Sequence, residues 1–95
     1  MESVSLLVTY QLKSNAAEAF MQEIFRMGFP DIVLQEKGCL CYRYTVEAPD
    51  KIVLTEKWQS REMQEEHLQT EHMKKFLKLK EAYVANTKVE EIVTR

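Results

Sequence analysis

Apolar residues in this chain recur with a period of two in four segments and with a helical period between them. That order leaves few folds open. Val4 to Leu12 reads VSLLVTYQL, rich in β-branched and aromatic residues, and predicts the first strand. Leu6, Val8, Tyr10 and Leu12 share one face, and Leu7 adds apolar character to the other. Asn15 reads as a helix N-cap with Glu18 as its capping-box partner, and Ala17, Phe20, Met21, Ile24 and Phe25 follow at helical spacing. Pro30 removes a backbone donor within that pattern, so a kink or short break is expected before Ile32, Val33 and Leu34 resume it. Gly38 is placed for a left-handed conformation past the helix end.

Cys39 to Val46 predicts the second strand, with Leu40, Tyr42, Tyr44 and Val46 on one face and Cys39, Cys41, Arg43 and Thr45 on the other. Ala48-Pro49-Asp50 signals a turn, and Ile52 to Trp58 predicts the third strand, antiparallel to the second. Ser60 and Thr70 are two successive helix caps, which predicts helices over 60–68 and 71–82, the second carrying Met73, Phe76, Leu77 and Leu79. A last strand of weak alternation runs from Tyr83 or Val84 to Val93. The order β-α-β-β-α-β is that of the ferredoxin-like split unit, an α+β fold with a four-stranded antiparallel sheet and helices on one face. The central strands carry apolar or aromatic residues on both faces, so a second copy packing sheet to sheet would cover the bare side. A homodimer is the expected assembly.

The 95 residues fit one domain, 1–95. A net charge of −2, from 13 basic and 15 acidic residues, gives no basic stripe for nucleic acid. The densest cationic stretch, Lys74, Lys75, Lys78 and Lys80, reads as the solvated side of a helix. No apolar run approaches the ~20 residues of a membrane span, and the N-terminus lacks a secretory pattern. Two cysteines, Cys39 and Cys41, are few for a secreted scaffold, so a cytoplasmic location and structural roles for both are expected.

Gly-rich phosphate loops and nucleophile elbows are absent from the sequence. Chemistry-bearing residues gather after the third strand: Glu56 and Trp58 on one strand face, then His67 and His72. On a single helix the two imidazoles would stand about 140° apart around the axis, so they would not share a metal as an i, i+4 pair does. No metal and no cofactor are expected. The bland readings are a core tryptophan and two satisfied histidines.

The segments KGCLCYRY and IVLTEKWQSREMQEEHLQTEHMKKF resemble the antibiotic-biosynthesis-monooxygenase superfamily, and within it the quinol-monooxygenase-like branch. The matching positions are Gly38-Cys39, Glu56-Lys57-Trp58, His67-Leu68 and Thr70-Glu71-His72-Met73, within about residues 37–80. The resemblance implies a dimeric α+β barrel with a pocket between sheet and helices. It also implies oxidation of phenolic or quinol-type aromatics by dioxygen without metal or flavin. Haem degradation, found in another branch, is disfavoured: the first strand has no Asn, and the positions of that branch's Trp and axial His fall on His67 and Leu77.

On this reading His67 and His72 are the candidate bases. Trp58, Phe20, Tyr42, Tyr44 and Phe76 are candidate ring walls, with Glu56 beside them and Arg43 as an anchor for an anionic group. The helix dipole favours an imidazolium at His67, at a helix end, and disfavours one at His72, in a first turn, which makes His72 the better neutral base. The alternatives are isomerisation of a small hydroxy-carbonyl compound, phosphorylated or not, and a non-enzymatic dimer that binds an aromatic metabolite.

Overall fold

Strand alternation and two interrupted helical segments give the architecture directly. The computed structural model describes residues 3–92. Along the chain lie β1 (Val4–Leu12), α1 (Ala17–Arg26), α2 (Phe29–Leu34), β2 (Cys39–Ala48), β3 (Lys51–Trp58), α3 (Arg61–His67), α4 (Glu71–Tyr83) and β4 (Val84–Ile92). The four strands form one antiparallel sheet in the order β2-β3-β1-β4, the ferredoxin-like arrangement with each helical segment of that unit in two pieces, α1 and α2 and then α3 and α4. The expected end of the last strand at Val93 lies outside the described residues. Among those residues no helix is long and apolar enough to cross a membrane.

The helices cover one sheet face. On it Leu6, Val8, Tyr10 and Leu12 of β1 and Ile52, Leu54, Glu56 and Trp58 of β3 are buried, against Phe20, Met21 and Ile24 of α1, Phe29 and Val33 of α2, and Met73 and Phe76 of α4. Ser5, Leu7 and Thr9 of β1 and Val53 and Thr55 of β3 point to the other face and stay only half covered. Phe25 and Leu77, which fell within the apolar patterns, are exposed.

Helix ends follow the expected chemistry except at α1. Ser60 Oγ accepts the Met63 N–H at 3.3 Å, and Thr70 Oγ1 accepts the Met73 N–H at 3.2 Å, so both predicted caps form. Asn15 does not cap α1. The N-cap is Ala16, with no side-chain hydrogen bond, and the Ala17 N–H donates instead to the Pro49 carbonyl at 2.9 Å in the β2–β3 turn. A tertiary contact replaces the local one. The break at Pro30 is present: Gly28 takes φ 67° between α1 and α2, and Pro30 sits in the first turn of α2, where no intrahelical donor is needed.

One register shift alters the expected faces of β2. Cys39 pairs with Trp58 and Cys41 with Lys57, so Leu40 is the extra residue of a β-bulge. Cys39 therefore lies on the helix-covered side beside Trp58, and Cys41 on the opposite side with Arg43. The cysteines do not share a face, and Leu40 is exposed instead of joining Tyr42 and Tyr44.

Candidate functional site

The period of two along β3 sets Glu56 and Trp58 on the covered face, where the Trp58 Nε1–H donates to Glu56 Oε1 at 3.0 Å. Across the ladder Tyr42 stands opposite Glu56 and Tyr44 opposite Leu54. The two phenol oxygens are 3.3 Å apart. The His67 ring lies on this floor, with its centroid 4.8 Å from that of Trp58 and 5.6 Å from that of Tyr42. Trp58 and His67 are enclosed, at 0% and 1% exposure.

The α3–α4 corner brings the second imidazole to the first. His67 is the last residue of α3, and its carbonyl accepts from both the Thr70 N–H at 3.3 Å and the Thr70 hydroxyl at 2.8 Å. The same hydroxyl caps α4, whose second residue is His72. The single-helix separation of the rings does not apply, because the chain turns at Leu68–Thr70. The ring centroids come to 6.3 Å.

Between them stands Glu36, which sequence reasoning missed. Its Oε2 is 2.7 Å from His67 Nδ1 and 2.7 Å from His72 Nε2. Glu36 lies in the α2–β2 loop, 31 and 36 residues from the histidines, and no local periodicity marks it. The indirect signal is Gly38. It takes φ 88°, and a Cβ there would stand 2.0 Å from Met63 Sδ and 3.0 Å from Met63 Cβ and Cγ. A Cβ there would displace the Met63 side chain and press on its stem in α3, the helix that ends at His67. The loop is tied further by Cys39 N–H to the Glu36 carbonyl at 3.2 Å and Gln59 N–H to the Gly38 carbonyl at 2.8 Å.

Electrostatics at the site follow burial. Burial raises the Glu56 carboxyl above its ordinary 4.5, and the charge of Glu36 adds to this, while the Trp58 N–H and His67 act in the opposite direction. Tyr42 and Tyr44 are held well above the usual phenol range, first by burial. The Cys39 thiol is pushed up to about 11 by burial and by the charges of Glu36 and Glu56, so it is protonated at neutral pH.

The other predicted site residues divide. Phe20 and Phe76 are fully buried in an aromatic cluster with Tyr10, Phe29 and Tyr83, and Phe29 is the ring of this cluster that meets His72. Arg43 lies across from Thr55 on the opposite sheet face, exposed and away from the histidines. An open depression of about 400 Å³ lies elsewhere, between α4 and β4, and is lined by none of the predicted residues. The partly exposed edge of the cluster is formed by Tyr44, Glu36 and His72.

Comparison with known proteins places the chain in a family. The chain superposes on the PA3566 protein of Pseudomonas aeruginosa with a TM-score of 0.82 and 25% identity, covering 100% of this chain and 96% of that one. The Rv0793 protein of Mycobacterium tuberculosis gives 0.84 and 19% over 99% and 96% of the two chains. A structure described as an antibiotic biosynthesis monooxygenase gives 0.83 and 21% over 97% and 98%. No curated protein matches in sequence. The sequence pattern of the antibiotic biosynthesis monooxygenase family matches residues 3–79, covering β1 to β3, Glu36, Trp58 and both histidines. The chain belongs to the antibiotic biosynthesis monooxygenase family.

Proposed function

We propose that the protein is a cofactor-independent monooxygenase of a quinol or phenolic aromatic, with the His67–Glu36–His72 cluster as its base. The observation that carries this reading is the single Glu36 oxygen 2.7 Å from a nitrogen of each ring. With both rings neutral, each donates its N–H to that oxygen and keeps a lone pair on the other nitrogen, Nε2 of His67 and Nδ1 of His72. A carboxylate that fixes the tautomer also stabilises the imidazolium formed when the ring takes a proton.

The chemistry asks little more of the protein. Deprotonation of a ring hydroxyl makes the aromatic electron-rich, and one electron passes to dioxygen. The radical pair then combines at a ring carbon. One oxygen atom stays on the ring as a new carbonyl or hydroxyl, and the other leaves as water with two hydrogens from the substrate. The substrate supplies all the electrons. Trp58 and Tyr42 pack their rings against His67, Tyr44 meets Tyr42 ring to ring, and Glu56 fixes the indole by accepting its N–H. The partly exposed edge at Tyr44, Glu36 and His72 is the side from which a ring would enter. Arg43, the anchor that isomerisation of an anionic substrate would use, is on the other sheet face, which weighs against that alternative.

The half-covered outer face around Leu7 and Val53 supports the homodimer, with a second copy packed sheet to sheet. Sedimentation of the purified protein at twice the monomer mass is the expected result. For the reaction, a panel of naphthoquinols is incubated aerobically with protein, and oxygen uptake and hydroxylated quinone are measured. Protein-dependent uptake that falls in His72→Ala and Glu36→Gln is expected. Uptake no faster than without protein across the panel removes the oxygenase reading.

A further inference from the structure

We propose that Glu36, His67 and His72 also form a binding site for a divalent transition-metal ion. The ligand atoms, Glu36 Oε2, His67 Nδ1 and His72 Nε2, all lie within 4.8 Å of one another. Zinc–imidazole and zinc–carboxylate bonds of about 2.0–2.2 Å leave the donors around one ion roughly 3–4 Å apart. Two of the three separations here are 2.7 Å and the third, between the two imidazole nitrogens, is at most 4.8 Å, so the carboxylate oxygen must draw back by roughly half an ångström and the rings close by up to about an ångström to seat one ion. His72 and Glu36, the two partly exposed members, have that freedom, and buried His67 is the fixed point.

Two imidazoles and one carboxylate are the donor set of zinc(II), cobalt(II) and iron(II) sites, not of calcium or magnesium, which take oxygen ligands. The three donors come from three separate elements: the α2–β2 loop, the end of α3 and the first turn of α4. Such a set leaves further coordination positions open to water or an oxygen-donor ligand. Charge also suits a divalent cation. Glu36, hydrogen-bonded to a nitrogen of each ring, supplies a carboxylate that would face the ion. The loop that carries Glu36 is held by Gly38 and by the Cys39 N–H, which keeps the carboxylate aimed at the rings.

Metal binding and the proposed base are mutually exclusive uses of the same rings. An imidazole bound through the nitrogen that faces Glu36 carries its proton on the other nitrogen, so the lone pair needed for proton abstraction is gone. The inference does not rest on the oxygenase reading, and its test measures binding alone.

Tag-free protein is titrated with cobalt(II), then zinc(II), by calorimetry and visible absorption. The expected result is about one ion per chain, with cobalt bands of a nitrogen–oxygen donor set and no thiolate charge-transfer band. Loss of a ligand exceeds the 10–100-fold that loss of an outer-shell partner costs, so Glu36→Gln and His72→Ala should each weaken binding about 100-fold or more. Their circular dichroism should match that of the parent. A Cys39→Ala, Cys41→Ala double variant should bind as the parent does. No saturable binding, binding that survives both ligand variants, or binding lost in the cysteine variant overturns the site.

Discussion

The covered face of the sheet has two ends of different character. Around α1 and the middle of α4, Phe20, Tyr10, Phe76 and Phe29 meet ring against ring, with Phe29 and Phe76 stacked at 4.6 Å and 9°. Around the end of β3, Trp58, Tyr42 and His67 also pack ring to ring, but Glu56, Glu36 and His72 are set among them. The first end gains from burial alone. The second gives up some of that gain to hold two carboxylates and two imidazoles, Glu56 and His67 buried and Glu36 and His72 partly so, each with a partner. Stability is concentrated at one end and chemistry at the other, with Phe29 touching both Phe76 and His72.

The largest expected effect breaks the apolar end. Phe76→Ala removes a fully buried ring that contacts Tyr10, Phe20 and Phe29, and should cost about 3–5 kcal/mol of folding free energy. Urea unfolding followed by the fluorescence of Trp58, the one tryptophan, measures it. A loss under about 1 kcal/mol would mean the cluster collapses around the gap, and the division of labour would not hold.

Next comes the polar end. Glu36→Gln keeps the shape of the side chain and an oxygen that can accept from the rings, but it has no charge with which to stabilise an imidazolium. Oxidation of a turned-over naphthoquinol should fall about 100-fold, within the range for loss of a positioned base, while stability changes by no more than about 2 kcal/mol. The reverse pattern, unchanged turnover with a large loss of stability, would make Glu36 a structural strut.

The two glycines test how the polar end is assembled. Both have positive φ, but a Cβ at Gly28 meets nothing within 4 Å, whereas one at Gly38 runs into Met63. Gly28→Ala should cost about 1 kcal/mol from backbone strain. Gly38→Ala should cost about 2–3 kcal/mol and also lower turnover, because α3 must retreat from the Glu36 loop. Equal costs at the two positions, measured by denaturant midpoint, would mean that α3 does not depend on the close approach at Gly38.

The two ends also differ in how far the sequence reveals them. Phe20, Ile24, Met73 and Phe76 are legible because helical spacing fixes which side chains face inward. Glu56 and Trp58 are legible because strand period puts them together, and the Ser60 and Thr70 caps correctly divide α3 from α4. Periodicity misleads where a single residue is inserted: the bulge at Leu40 moves Cys39 to the Trp58 side, and no pattern in CLCYRY announces it. Glu36 is illegible for another reason. Its partners are more than 30 residues away, and its place depends on a loop, a left-handed glycine and a helix packing together. Asn15 fails as a cap for a similar reason, since the Pro49 carbonyl takes the donor that Asn15 would have served.

The smallest effect concerns Glu56 and its dependence on pH. Burial, the largest influence, raises this carboxyl above its ordinary 4.5, so the folded protein holds the proton more tightly than the unfolded chain does. Between 4.5 and the raised folded value the folded state binds more protons, and stability therefore declines as pH rises through that interval. Above it, the penalty for burying the ionised group is fully present. Glu56→Gln removes the titrating group and leaves an amide oxygen to accept the Trp58 N–H. Denaturation series run from pH 4.5 upward should show the parent losing stability relative to the variant and the difference then levelling off. Parallel curves would mean that the Trp58 N–H and His67 fully offset burial, and the polar end would then cost the fold less than its composition suggests.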